Sequence, residues 1–194
     1  MKLTMKKLQS LLTKRFKGIL KAGKHNENGE CCVRELRACA LEIPWTDSPD
    51  NNSATDKACQ RINDATWSSD AVRTEHCLPL ALLTESEAAP GWVKNYAERT
   101  IREIISEAME TAAKIHPDKK HQDALNAAGK RCREEGTKES AHAAYAAAHA
   151  ANAANAAANA ANAAANAAYA ANAAANADAV LIKAVKILIE THQG

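Results

Sequence analysis

Residues 141–177 read AHAAYAAAHAANAANAAANAANAAANAAYAANAAANA, a run of 37 residues without one formal charge. Twenty-six are Ala and the other eleven are Asn, His or Tyr. The polar positions are His142, Tyr145, His149, Asn152, Asn155, Asn159, Asn162, Asn166, Tyr169, Asn172 and Asn176. Every step between them is three or four residues, which is helical spacing and excludes a strand's alternation. Ala is the best helix former, and neither Gly nor Pro occurs in 137–193. A solvated helix of this length normally carries Lys and Glu. Their absence predicts a helix surrounded by protein, with a polar seam along it. The reading for the whole chain is all-α, a helical bundle around a long Ala/Asn-rich C-terminal helix.

Working outward, about 52 residues of unbroken helix would span about 78 Å. A compact domain of this length has a diameter of roughly 40 Å. The helix must therefore bend, form an elongated bundle, or bury its Ala faces on a second chain. The seam averages about 3.4 residues per step, close to a heptad, which favours left-handed wrapping. A homo-oligomer, most simply a two-fold dimer, is expected.

The 194 residues suffice for one domain with a substantial core. Three stretches organise it: a basic amphipathic helix (1–24), a helical region carrying a Trp/Asp/Arg block (25–136), and the Ala-rich helix (137–194) packed on it. Net charge is +2, too near neutral to argue for nucleic acid over the whole surface. Its distribution is uneven, because Lys2, Lys6, Lys7, Lys14, Arg15, Lys17, Lys21 and Lys24 fall in residues 1–24 without an acid. Six cysteines, at 31, 32, 39, 59, 77 and 132, contain no Cys-x-x-Cys pair. They read as reduced, buried thiols in a cytoplasmic protein without metal or cofactor. Only the Cys31-Cys32 pair near His25 hints at ligation. Seven Asn in the Ala tract argue against membrane insertion, and residues 3–20 are too amphipathic for a signal segment.

Helices are expected over 2–22, 31–42 and 54–64, with another from Ser68 or Ser69 that Pro79 kinks or ends. Thr84 to Glu87 resembles a capping box, but Pro90 places the next helix start near itself. Val93, Ala97, Ile101, Ile104, Ile105, Ala108, Ala112 and Ile115 form its inward stripe, and His116-Pro117 stops it. Asp118 caps a helix ending near Gly136, and Thr137 caps the last one. Val180 to Ile189 closes that helix with an apolar face, leaving Lys183, Lys186 and Glu190 outside.

Three motifs stand out: Cys-Cys-Val-Arg-Glu-Leu from Cys31, Pro-Trp-Thr-Asp-Ser-Pro-Asp from Pro44, and Ile-Asn-Asp-Ala-Thr-Trp-Ser-Ser-Asp-Ala-Val-Arg-Thr from Ile62. With the Ala tract they resemble a group of uncharacterised Ala-rich helical proteins of bacteria and their phages. The resemblance covers residues 30–80 and the tract. It implies a prokaryotic or phage setting in the host cytoplasm and carries no catalytic residue.

The densest polar block holds Trp45, Asp47, Asp50, Asp64, Trp67, Asp70, Arg73, Glu75 and His76. As chemistry, Asp47, Asp50, Asp64, Asp70 and His76 would supply oxygen and imidazole ligands for a metal-dependent hydrolase. As local structure they are caps and turns, which is the preferred reading. As recognition, Trp45 and Trp67 offer flat faces, Arg73 a fork for phosphate or carboxylate, and Asp64, Asp70 and His76 further polar contacts. Asn152 and Asn159 would add amide donors and acceptors from the seam. Packing of both tryptophans in the core, with Arg73 paired to Asp64 or Asp70, is the plainer alternative. The basic helix is a docked amphipathic element or a surface for nucleic acid or anionic membrane. No phosphate loop, nucleophile elbow or dinucleotide fingerprint occurs. The expected function is a non-enzymatic binding protein, a phage or bacterial accessory (immunity-modulating) protein that holds a partner or a small polar ligand.

Overall fold

Thr4 opens the first helix, its hydroxyl accepting from the Lys7 amide at 3.3 Å. The structure is a computed structural model that describes residues 3–23, 25, 27, 29–159 and 163–194; side chains are described for these except 154–159 and 163–176. Helix α1 (Met5–Phe16) repeats Leu8, Leu12 and Phe16 every fourth residue, and all three are buried. It ends at Lys17, in left-handed geometry with φ 57°. Helix α2 (Val33–Leu41) starts in a reciprocal capping box between Cys32 and Glu35. Helix α3 (Ala54–Asn63) repeats the device with Ser53 and Asp56, and Ser69 caps α4 (Asp70–Cys77). Pro79 falls in a single 3-10 turn, Leu78–Leu82, where its missing N–H costs nothing.

Among the described residues every regular element is helical, so the protein is all-α. The chain divides into two compact units: Met1–Val93 with Ala174–Gly194, and Lys94–Ala173. In the first, Leu8, Leu12, Phe16 and Leu20 meet Val33, Leu36, Cys59, Ile62, Leu80 and Trp67 in a core of large side chains. The end of α9 (Ala163–Gln193) belongs to this unit and buries Val185, Ile187 and Leu188. Lys186 and Glu190 are exposed, as the apolar spacing requires. Val180 and Ile182 of the same expected face are partly exposed.

In the second unit a π-helical turn, Thr100–Ile105, links α5 (Trp92–Arg99) to α6 (Ser106–Ile115). Asp118 caps α7 (Lys119–Glu135), and Gly136 ends it at φ 63°. Thr137 accepts from the Ser140 amide at the start of α8 (Lys138–Asn159). The core is thin: Ala113, Leu125 and Ala151 in one cluster, Ala128, Cys132 and Ala144 in another, bridged by Met109 and Ala147. Gly129 brings α6 and α7 close, since a Cβ there would lie 3.0 Å from the Ser106 carbonyl oxygen.

Three expectations need correction. The Ala tract is not surrounded by protein over its described side chains. Ala144 and Ala151 are buried, while His142, Tyr145, His149 and Asn152 are exposed, so one Ala face packs and the seam looks outward. Val93 and Ile115 do not face inward but are about half exposed, at 49% and 50%. The π turn inserts i→i+5 spacing between them, so a 3.6-residue phase carried across it fails. The first helix is Met5–Phe16 rather than 2–22, stopped by the left-handed turn at Lys17, whereas the helix expected near Pro90 does begin there, at Trp92. The tract is helical in α8 and again in α9; continuity through 160–162, and the side chains of Asn155, Asn159, Asn162, Asn166, Tyr169, Asn172 and Asn176, lie outside the described residues. Among the described residues no helix is long and apolar enough to cross a membrane.

Candidate functional site

The three sequence motifs converge in the first unit. The capping box at the start of α2 sets the geometry: Glu35 accepts the Cys32 amide at 2.8 Å. It also takes the His25 amide at 2.7 Å and lies 3.0 Å from the His25 Nδ1. The next position, Arg34, is fully buried. Its Nε donates to Asp56 Oδ1 at 2.8 Å, and Nη2 reaches the same oxygen at 2.6 Å. Nη2 also donates to Asp50 at 2.9 Å, and Nη1 to the carbonyl oxygens of Leu83 (2.9 Å) and Leu80 (3.4 Å). Asp56 Oδ2 in turn accepts the Asp50 and Ser53 amides. Arg37 adds a bond to the Ala81 carbonyl at 3.0 Å and lies 3.7 Å from Asp50. Burial first, then the neighbouring Arg34, pulls the Arg37 pKa down, while Asp50 and Asp56 hold it up.

Two buried cations therefore face two carboxylates, and every edge of the Arg34 fork is occupied. A guanidinium has five N–H donors. None of Arg34's is left for a phosphate or carboxylate ligand. The cluster is a structural junction tying α2, α3 and the 44–50 turn to the Leu78–Leu82 turn.

The recognition residues fall nearby but are equally engaged. Arg73 donates to the Asn63 carbonyl at 2.8 Å and pairs with Asp70, which also holds Lys21. Asp64 accepts the Gly23 amide at 2.8 Å. Trp67 is buried, donates to the Ile62 carbonyl at 3.0 Å, and stacks on His76 with centroids 6.0 Å apart. Asp64, Trp67, Asp70, Arg73 and His76 thus gather around the α3–α4 connection. Trp45 is held elsewhere, against Phe16 at 5.9 Å, with its indole N–H on the His25 carbonyl. Asn152 belongs to the second unit and is exposed; the Asn159 side chain lies outside the described residues.

The five residues of the hydrolase alternative separate. Asp50 joins the Arg34 junction, Asp47 accepts from Ser48, and Asp64, Asp70 and His76 serve the α3–α4 connection. Among the described residues no group of three His, Cys, Asp or Glu is placed to hold a metal ion. The six cysteines carry free thiols. Burial pushes Cys59 and Cys77 up to about 12, and Cys31 and Cys32 upward as well, so these thiols stay protonated. His25, the nearest imidazole in sequence to Cys31 and Cys32, is committed to Glu35.

The sequence did not single out Thr55, Glu85 and His192. Thr55 donates to Glu85 at 2.6 Å, and His192 Nε2 lies 3.1 Å from the same hydroxyl. With its proton on Glu85, the Thr55 oxygen accepts, so His192 carries hydrogen on Nε2. Hydroxyl, imidazole and carboxylate are the members of a nucleophilic triad, but Thr55 and His192 are buried and the hydroxyl proton points away from the imidazole. The triplet docks the end of α9, where His192 also packs on Trp92 at 5.2 Å. Arg102, also missed, donates to the carbonyls of Arg133, Glu134 and Glu135 and closes the C-terminus of α7. For Arg34 and Glu35 no local signal existed, since helical spacing places them opposite Val33 and Leu36.

In the second unit, the outward face of α8 is exposed. Tyr145 is 71% exposed, with its ring 6.0 Å from that of His149. Compared with family profiles, curated proteins and solved structures, the chain matches none.

Proposed function

We propose that this chain is a non-enzymatic helical interaction protein whose partner seats on the exposed seam of α8. The supporting observation is the face formed by His142, Tyr145, His149 and Asn152, exposed and uncharged on a helix whose opposite Ala face is packed. A large aromatic held this far in water, without a neighbouring charge on its tract, suits a protein surface more than solvent. The Arg34 fork, with every donor engaged, and the Arg73 guanidinium, held by Asp70 and the Asn63 carbonyl, support the same reading, because neither is free for a small polar ligand. A second copy is the simplest occupant, giving a two-fold dimer through matching seams. The setting we propose is the cytoplasm of a bacterial host, with an accessory, immunity-modulating role in the bacterium or its phage. The metal-dependent hydrolase has no observation in its favour.

Native mass spectrometry and light scattering test this. Wild type is expected to be a dimer at high micromolar concentration. Tyr145→Lys with Asn152→Lys is expected to be monomeric with an unchanged helical circular-dichroism signal, since both side chains are exposed. A wild-type monomer that carries no retained partner overturns the proposal.

A further inference from the structure

Helix α1 is unlike the chain's other charged helices in how it treats its cations. Every other α-helix carries at least one acid, and six cations of the other helical segments meet a carboxylate one turn away: Arg99 with Glu103, Arg102 with Glu98, Lys119 with Asp123, Lys130 with Glu134, Arg131 with Glu135 and Lys186 with Glu190. Residues 1–24 contain no acid, so α1 forgoes such pairs entirely. Its first turn carries Lys6 and Lys7, where the helix dipole disfavours positive charge. Helix stability does not explain that placement.

The fold then sorts these cations. Lys7 lies 3.6 Å from Glu42, Arg15 lies 3.7 Å from Glu27, and Lys21 pairs with Asp70. Lys6, Lys14 and Lys17 are exposed, and Gln9, Ser10 and Thr13 are exposed between them. At 100° per residue, Lys6, Ser10, Thr13 and Lys14 share the face of α1 turned away from the buried Leu8, Leu12 and Phe16, with Gln9 at its edge. We infer that this face is a docking surface for the phosphate backbone of duplex nucleic acid, read without regard to sequence.

The chemistry selects among polyanions. Lysines interleaved with hydroxyl and amide side chains are the groups that contact phosphate oxygens. The helix rises about 12 Å from Lys6 to Lys14, roughly three to four base-pair rises of 3.4 Å, and Lys17 follows just past its end. Its only aromatic, Phe16, is 1% exposed, so α1 offers no platform for the unstacked bases of a single strand. Leu8, Leu12 and Phe16 are committed to the core, so α1 has no free apolar face to enter a bilayer.

The test is fluorescence anisotropy of the full chain with a labelled 20-base-pair duplex from 25 to 200 mM NaCl. Three neutralised phosphates predict a slope of log K against log salt of about −2.7 for each helix face engaged. Two duplexes of unrelated sequence are expected to bind equally. Changing Lys6, Lys14 and Lys17 to Gln together should weaken binding at least tenfold without moving the melting temperature, while Lys130→Gln leaves it intact. No binding at 25 mM salt overturns the inference, as does binding indifferent to the three changes. Retention on phosphatidylglycerol vesicles with none on the duplex also overturns it. The two proposals share no residue, so either fails without the other.

Discussion

Arg34 shows how a single residue defines both the fold and the limits of a site. Fully buried, it has every N–H on an acceptor, and the acceptors come from three segments: Asp56, Asp50 and the turn that carries Leu80 and Leu83. Removing it leaves Asp56 without a cation and Asp50 with only the more distant Arg37, a loss of about 3–5 kcal/mol for a broken buried pair. Arg34→Ala is therefore expected to consume much of a domain's stability in urea denaturation. Arg34→Lys should still cost about 2 kcal/mol, because three donors cannot serve the two carbonyls and both carboxylates. An Arg34→Ala protein within about 1 kcal/mol of wild type would mean that the guanidinium is free for a ligand. The same residue marks what the sequence hid. Asp70, Arg73 and Trp67 were legible as a polar and aromatic block because they cluster in a short stretch. Arg34, Asp50 and Asp56 meet only through the tertiary fold, and no local spacing announces that.

At the scale of elements most helices followed from their ends, but the first stops at Phe16 instead of running through 22. Thr4, Ser53, Ser69 and Asp118 cap where hydroxyls and carboxylates precede apolar periodicity, and Gly136 terminates α7 by accepting a positive φ. What could not be followed was phase across the Thr100–Ile105 π turn, which no residue type signals. Nor was it visible that the last turn of α9 is pinned by His192. Burial holds the His192 pKa below its usual 6.5, and Arg34 acts in the same direction against the pull of Glu85, Asp50 and Glu87. The folded state thus resists a proton that the unfolded chain accepts. Stability from this group is complete above about pH 6.5 and declines as pH falls through that value toward the lower folded pKa. The slope cannot exceed about 1.4 kcal/mol per pH unit for one group. Urea midpoints at pH 7.5 and 5.0 should drop further for wild type than for His192→Gln, whose amide still donates to Thr55 but does not titrate. The protection factor of the Ala89 amide, which donates to the His192 carbonyl at 2.8 Å, should fall between pH 7.5 and 5.0 in wild type but not in His192→Gln. Equal acid sensitivity in the two proteins would remove His192 as the cause.

For the molecule as a whole, the two units differ in what their cores are made of. The first buries Leu8, Leu12, Phe16, Leu20, Leu36, Leu80, Trp67 and Trp92, side chains worth about 1.5–3 kcal/mol each on full burial. The second relies on Ala113, Ala128, Ala144 and Ala151 around Leu125 and Cys132, where each Ala contributes a single methyl group. Its compensation is close approach, as Gly129 permits between α6 and α7, and i,i+4 ion pairs worth only about 0.3–0.5 kcal/mol each. The second unit is accordingly expected to unfold first, in a separate transition. The chain supplies its own reporter, because Trp45, Trp67 and Trp92 all belong to the first unit while helix content is spread over both. In a guanidinium titration the circular-dichroism signal at 222 nm should begin to fall at a denaturant concentration where tryptophan fluorescence is still native. Replacing Gly129 with Leu forces a larger side chain against the Ser106 carbonyl and Met109, a strain of about 1–3 kcal/mol, so it should shift the early phase down and leave the fluorescence midpoint in place. Coincident transitions by both probes, moving together in Gly129→Leu, would show instead that one cooperative unit spans the chain and that the Ala-rich core draws its stability from elsewhere.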